Sequence, residues 1–135
     1  MDTPTLVKPA LDAIKAEGPS REELARWYGL MHLGRVLDDK APNYLKQAIG
    51  WSYHAPTAGH DGIQLALGLR FRPGQDYFFP YYRDMLSCLA AGLTPEEIIL
   101  NGISKATDPA SGGRHMSNHF AKPEIGIQNV SSLTE

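Results

Sequence analysis

The sequence predicts an α/β protein in which helices come first and a strand-bearing unit begins only in the second half. Apolar residues recur at helical spacing from Leu24 to Ala48. The run Asp76-Tyr77-Phe78-Phe79 has the aromatic composition of a short strand, and Ile125 to Val130 carries apolar residues at near-alternate positions.

The elements follow in order. Residues 1–19 contain three prolines and no sustained period, so they are expected to form a loose leader. Ser20 and Glu23 make a capping box, which opens a helix along Leu24, Trp27, Tyr28, Met31, Leu37, Ala41, Tyr44 and Leu45. Pro42 lacks an amide donor and is expected to break or kink that helix near Asp39 to Ala41. Residues 20–58 thus read as a helical lead-in that ends in an aromatic connector, Trp51 to Thr57. Gly59 to Phe71 reads as a helix burying Ile63, Leu65, Ala66, Leu67 and Leu69, and Arg72-Pro73-Gly74 as a turn. After the strand at Asp76 to Phe79, a helix over Arg83 to Ala91 closes at Gly92. Thr94-Pro95-Glu96-Glu97 then caps a last helix reaching about Ser104. Lys105 to Glu124 is rich in Gly, Pro, Asp, Ser and Asn, and is expected to be a long, exposed, mobile loop.

Composition narrows the function classes. A net charge of −2 over 135 residues provides no electrostatic footprint for nucleic acid or an anionic membrane. One cysteine, Cys88, sits in an apolar run, which excludes an internal disulfide and predicts a buried thiol. With no apolar stretch near ~20 residues and no export signal, a cytoplasmic location is expected.

The chemistry concentrates at Phe79-Pro80-Tyr81-Tyr82-Arg83-Asp84. A guanidinium offers a planar fork of donors to oxyanions, phenol hydroxyls add neutral donors, and Pro80 fixes the turn that carries them. Such a set suits a phosphate, although a surface Arg-Asp pair beside half-buried tyrosines would read the same way. His115 and His119 have the four-residue spacing of two metal ligands on a helix face. Gly112-Gly113 and Ser117-Asn118 make this stretch a loop, however, and no third ligand is in view, so no metal site is expected.

Four blocks together extend the reading: Gly59-His60-Asp61-Gly62-Ile63-Gln64, Tyr81-Tyr82-Arg83-Asp84, Gly112-Gly113-Arg114-His115-Met116 and Val130-Ser131-Ser132. With these, the sequence from about Arg21 onward resembles the alpha chain of the thiamine-diphosphate-dependent decarboxylating component of 2-oxo acid dehydrogenase complexes, the branched-chain type most closely. The chain departs from the family pattern at Asp61-Gly62, where Glu-Ala is usual, and at Leu133, where proline is usual.

The resemblance implies a three-layer α/β/α domain that binds thiamine diphosphate, begun at residue 59 and incomplete at residue 135, with residues 105–124 as its active-site loop. It implies that Tyr82 and Arg83 contact the diphosphate, and that Ser132 lies near the aminopyrimidine with Thr134 in the supporting loop. Tyr53, Met116 and His119 would line the substrate pocket, with His119 bonding the substrate carboxylate or the enamine intermediate, while His60 would be structural. The family's Mg²⁺ ligands lie in a segment this chain does not contain. Partners implied are a beta chain or beta half, a lipoyl-bearing acyltransferase and a small 2-oxo acid. The expected activity is oxidative decarboxylation of 3-methyl-2-oxobutanoate or a related branched-chain 2-oxo acid, with reductive acylation of lipoyl groups. Pyruvate or acetoin dehydrogenase is the alternative, as is a short non-catalytic interaction module. The chain is expected to be the amino-terminal piece of a longer alpha chain or fusion.

Overall fold

The computed structural model describes residues 18–47 and 49–129. Four α-helices follow one another: α1 (Arg21–Lys46), α2 (Asp61–Arg70), α3 (Met85–Ala91) and α4 (Pro95–Gly102), with a 3₁₀ turn at Pro123–Ile125. Both expected capping boxes form. Ser20 Oγ accepts the Glu23 amide at 3.1 Å while Glu23 accepts the Ser20 amide at 2.8 Å, and Thr94 and Glu97 repeat the exchange at 3.2 and 2.8 Å. Each box satisfies amides that a helix start leaves without intrahelical partners.

Pro42 does not end α1, contrary to the sequence expectation. The helix runs on to Lys46. One missing donor is tolerated because both sides of the proline are held by packing: Leu37 and Ala41 are buried in the core, and Tyr44 stacks on Trp51 with ring centroids 5.6 Å apart.

The short helix α3 is the centre of the core. Met85, Leu86, Ser87, Cys88, Leu89 and Ala91 are all buried, as befits a helix apolar nearly all round. Helix α1 reaches it at Gly34, whose absent side chain leaves room for Leu86, and α2 reaches it at Gly68 against Ser87 and Ala90. Cys88 is buried as expected, and burial, aided by the nearby Asp84 charge, pushes its thiol well above the ordinary value. Only one face of α2 is covered. Leu65 is buried, but Ile63 is 71% and Leu67 52% exposed, so α2 is not the mostly buried helix expected.

No strand forms among the described residues. The run expected at Asp76 to Phe79 contributes one parallel bridge, Phe78 to Ile127, closed by the Phe78 amide on Gly126 O at 3.0 Å and the Gln128 amide on Phe78 O at 2.8 Å. Ile127 also bridges Lys122 in antiparallel sense. A ladder needs several consecutive pairs, and these short segments supply one each. The described residues are therefore helical with isolated bridges, and the α/β class is not realised in them.

Residues 105–124 lack regular elements other than the 3₁₀ turn, yet they differ from the exposed loop expected. Ser117, Asn118, Phe120 and Ala121 are buried, and so is the carboxylate of Asp108. Asp108 accepts the amides of Ala110 and Ser111 at 3.1 Å each and the Ser111 hydroxyl at 3.0 Å. A buried charge so surrounded by donors organises the turn from inside. Among the described residues no helix is long and apolar enough to cross a membrane.

Two glycines separate packing from propensity. A Cβ at Gly68 would stand 2.6 Å from Ala90 Cβ, whereas one at Gly29 would meet nothing within 4 Å. In urea unfolding, Gly68→Ala is expected to destabilise by about 1–3 kcal/mol and Gly29→Ala to stabilise by about 0.5–1 kcal/mol.

Candidate cofactor and substrate site

The turn between Phe79 and Asp84 leads into α3, and three contacts fix it. The Asp84 side chain accepts the Tyr81 amide at 2.9 Å, and the Asp84 amide returns a bond to Tyr81 O at 2.9 Å. Gln64, buried on α2, donates to Arg83 O at 2.8 Å and accepts the Leu86 amide at 3.3 Å. One side chain thereby ties the turn and the first turn of α3 to α2. Arg83 precedes α3 rather than starting it, since the helix begins at Met85.

On this turn Tyr81, Tyr82 and Arg83 gather with Tyr53 from the connector. Tyr53 meets Tyr82 edge to face at 5.5 Å and 81°, the Tyr81 and Tyr82 rings are 3.8 Å apart, and the Arg83 guanidinium lies 5.4 Å from the Tyr82 ring centroid. Among the described residues Arg83 has no ion-pair partner, while Arg35 and Arg72 pair with Asp61 and Asp76. The surface Arg-Asp pair that the sequence also allowed is absent, because Asp84 is engaged with the Tyr81 amide.

The phenols differ electrostatically. The hydroxyl of Tyr81, then those of Tyr53 and the charge of Arg83, hold the Tyr82 phenol below the ordinary tyrosine value against the opposing effect of burial. Burial, then Tyr82, pushes Tyr53 up, and Tyr82, then burial, pushes Tyr81 up. Of the three phenols, Tyr82 is the one whose phenolate form its neighbours favour.

The substrate-side residues come from two other segments. His119 is half-buried, with Nδ1 3.1 Å from Ser117 O, and its ring meets that of His115 at 6.1 Å and 81°. Asn129 Nδ2 donates to His115 Nδ1 at 2.8 Å, and Met116 is 55% exposed. This segment and the connector hang from the end of α4. Gly102 O accepts both the Trp51 amide and the Ser117 hydroxyl at 2.9 Å; Asn101 donates to His119 O at 3.2 Å; and Trp51 Nε1 donates to Asn118 Oδ1 at 3.2 Å. Trp51 and Asn118 both adopt left-handed backbone, φ 55° and 67°, a conformation that a bulky residue holds only when its surroundings determine it.

Tyr53, Tyr82 and Arg83 are thus brought together, and Met116 and His119 are joined to Tyr53 through Trp51 and Asn118. Ser132 and Thr134 lie outside the described residues. His60 is exposed at the start of α2 and makes no side-chain cap there. Asp61, standing where the family usually has glutamate, accepts from Arg35 at 2.9 Å and from the Gly59 amide at 3.2 Å. No cluster of three or more metal-ligating side chains occurs among the described residues. Sequence reasoning missed Trp51, Gln64, Asn101, Asp108 and Asn118. Gln64 closes one of the quoted blocks, but nothing local in the others announces a partner distant in sequence.

A guanidinium with no ion-pair partner among the described residues, beside phenol hydroxyls, is a donor set that suits an oxyanion, and a histidine and an exposed methionine are carried on a separate pinned segment. The family described as the Dehydrogenase E1 component matches residues 28–134. The 2-oxoisovalerate dehydrogenase subunit alpha of Bacillus subtilis (strain 168) is 32% identical over 118 residues, which are 87% of this chain and 36% of that protein. The chain belongs to the dehydrogenase E1 component family, and it spans about a third of the length of the curated relative it matches.

The phenol cluster is open to titration by phenolate absorbance. Tyr82→Phe is expected to remove the earliest phenolate step of the cluster. Tyr81→Phe is expected to move that step to higher pH, because it takes away the hydroxyl that most favours the Tyr82 anion.

Proposed function

We propose that this chain is the amino-terminal part of the alpha component of a branched-chain 2-oxo acid dehydrogenase, and that the whole protein oxidatively decarboxylates 3-methyl-2-oxobutanoate or a close analogue and passes the acyl group to a lipoyl group. The observation that carries the reading is the Arg83 guanidinium, without an ion-pair partner among the described residues, beside Tyr82 on a turn that Gln64 fixes to α2 and α3. The branched-chain assignment is supported by the 2-oxoisovalerate enzyme among the relatives.

In this reading Arg83 binds the diphosphate of thiamine diphosphate through charge-assisted bonds, and Tyr82 adds a hydroxyl donor. The nucleophilic carbon for decarboxylation comes from that cofactor when it is bound. Ser132 and Thr134 are assigned to its aminopyrimidine end, and Mg²⁺ would be held by residues beyond this chain. Tyr53 and Met116 form apolar walls for the substrate side chain. His119 faces the substrate carboxylate. The beta chain and a lipoyl-bearing acyltransferase complete the proposed assembly, located in the cytoplasm.

Three substitutions in the full-length, assembled protein test the division of roles. Arg83→Ala is expected to raise the Kd for thiamine diphosphate about tenfold or more, the loss of a charge-assisted contact of ~1.5–3 kcal/mol. Arg83→Lys recovers only part of it, since a point charge lacks the planar fork. His119→Ala is expected to lower turnover of the 2-oxo acid with cofactor affinity nearly unchanged. Normal cofactor binding by Arg83→Ala in calorimetric titration contradicts the assignment.

A further inference from the structure

Asp38 lies on α1, outside the group of residues assigned above, yet it touches the connector that carries Tyr53. Its carboxylate is buried, 6% exposed. Oδ2 accepts both the Thr57 amide and the Thr57 hydroxyl at 2.8 Å. Oδ1 faces Nε2 of His54 at 3.4 Å, and among the described residues neither that oxygen nor either ring nitrogen of His54 has a hydrogen-bond partner. The His54 side chain is itself only 9% exposed, with its ring edge-on to Trp51 at 6.1 Å and 75°. One carboxylate therefore confronts the residue immediately after Tyr53 and the residue that ends the connector.

We propose that Asp38 and His54 are positioning residues for the substrate pocket: the carboxylate clamps the connector at Thr57 and bears on His54, and so fixes the Tyr53 ring against Tyr82. The inference rests on the assignment of Tyr53 to the pocket made above. A carboxylate kept from water with one oxygen unpaired is a costly means of holding a connector, since an apolar side chain among Leu37 and Ala41 would pack without desolvating a charge. What it adds is direction. Two short bonds to one oxygen fix both the backbone and the side chain of Thr57, whereas apolar contact tolerates sliding. At the other end Trp51 is fixed by Gly102 and Asn118. Tyr53 lies between these anchors, and its edge-to-face contact with Tyr82 at 5.5 Å holds only while both ends stay in place. His54 as the Nε2–H tautomer carries a donor 3.4 Å from Oδ1, and a modest reorientation of its ring would align the bond.

Asp38→Asn keeps the size of the side chain, Thr57→Val removes one hydroxyl, and Thr57→Ser retains it. In the assembled, full-length enzyme, Asp38→Asn and Thr57→Val are expected to raise KM for the 2-oxo acid about fivefold, the loss of one buried hydrogen bond. Turnover and the Kd for thiamine diphosphate should stay nearly unchanged, and Thr57→Ser should restore KM. Fluorotyrosine placed at position 53 reports without catalysis. Its fluorine resonance is expected to shift or broaden in Asp38→Asn and Thr57→Val, while the same label at Tyr28 keeps its position. An unchanged resonance at position 53 overturns the proposal, as does a loss of cofactor affinity matching the change in KM, which marks a merely structural role. Absence of 2-oxo acid turnover in the unsubstituted enzyme refutes the functional reading instead, and the fluorine comparison still decides whether Asp38 positions Tyr53.

Discussion

The arrangement of the proposed substrate side depends on one backbone carbonyl, that of Gly102 at the end of α4. It receives the amide of Trp51 from the connector and the hydroxyl of Ser117 from the returning segment. Glycine is required there because the Trp51 indole lies directly over it: a Cβ at residue 102 would sit 2.6 Å from Trp51 Cδ2. The indole is buried between that backbone and Tyr44 and sends its N–H to Asn118. Segments more than sixty residues apart in sequence, one bearing Tyr53 and the other Met116 and His119, are thereby held to a common point.

The cofactor side is held differently. Tyr82 and Arg83 lie on a turn whose geometry comes from Gln64, a buried amide that donates to Arg83 O and accepts from the first turn of α3. Because α3 is buried on nearly every side, the turn inherits the rigidity of the core, and Arg83 has no ion-pair partner among the described residues. Sites placed on packed elements keep their geometry better than sites carried by isolated loops. The two sides meet where Tyr53 contacts Tyr82, so the proposed pocket wall and the proposed anion-binding turn share one aromatic contact.

Much of the helical part was legible because its signals are local. Ser20 with Glu23 and Thr94 with Glu97 are each three residues apart, and Gly92 adopts the positive φ expected of a helix end. Pro42 misled for the opposite reason: the packing of Leu37, Ala41 and Tyr44 that keeps α1 continuous is tertiary. Asp108 illustrates the limit most clearly. In a stretch rich in Gly, Ser and Pro an aspartate reads as a solvated loop residue, and only the folded chain encloses its carboxylate with amide and hydroxyl donors. The apolar residues Ile63 and Leu67 looked like core because composition says nothing of which face of α2 finds a neighbour. Tyr82 and Arg83 stood out by their own chemistry as an oxyanion donor set, whereas Met116 and His119 were reached through a family resemblance carried by short blocks. Asn101 and Asn118, which hold the His119 segment, make their contacts with residues too distant in sequence for any local pattern to reveal.

Hydrogen exchange at Trp51 tests the anchoring at α4 most directly, because both its backbone amide and its indole N–H are committed to that junction. If Gly102 and Asn118 hold the connector as described, both protons exchange only through global unfolding, with the same opening free energy as the amides of α3. Exchange of either proton at the rate of an exposed amide, while α3 stays protected, would show that the connector opens on its own and would contradict the common anchor for the two segments.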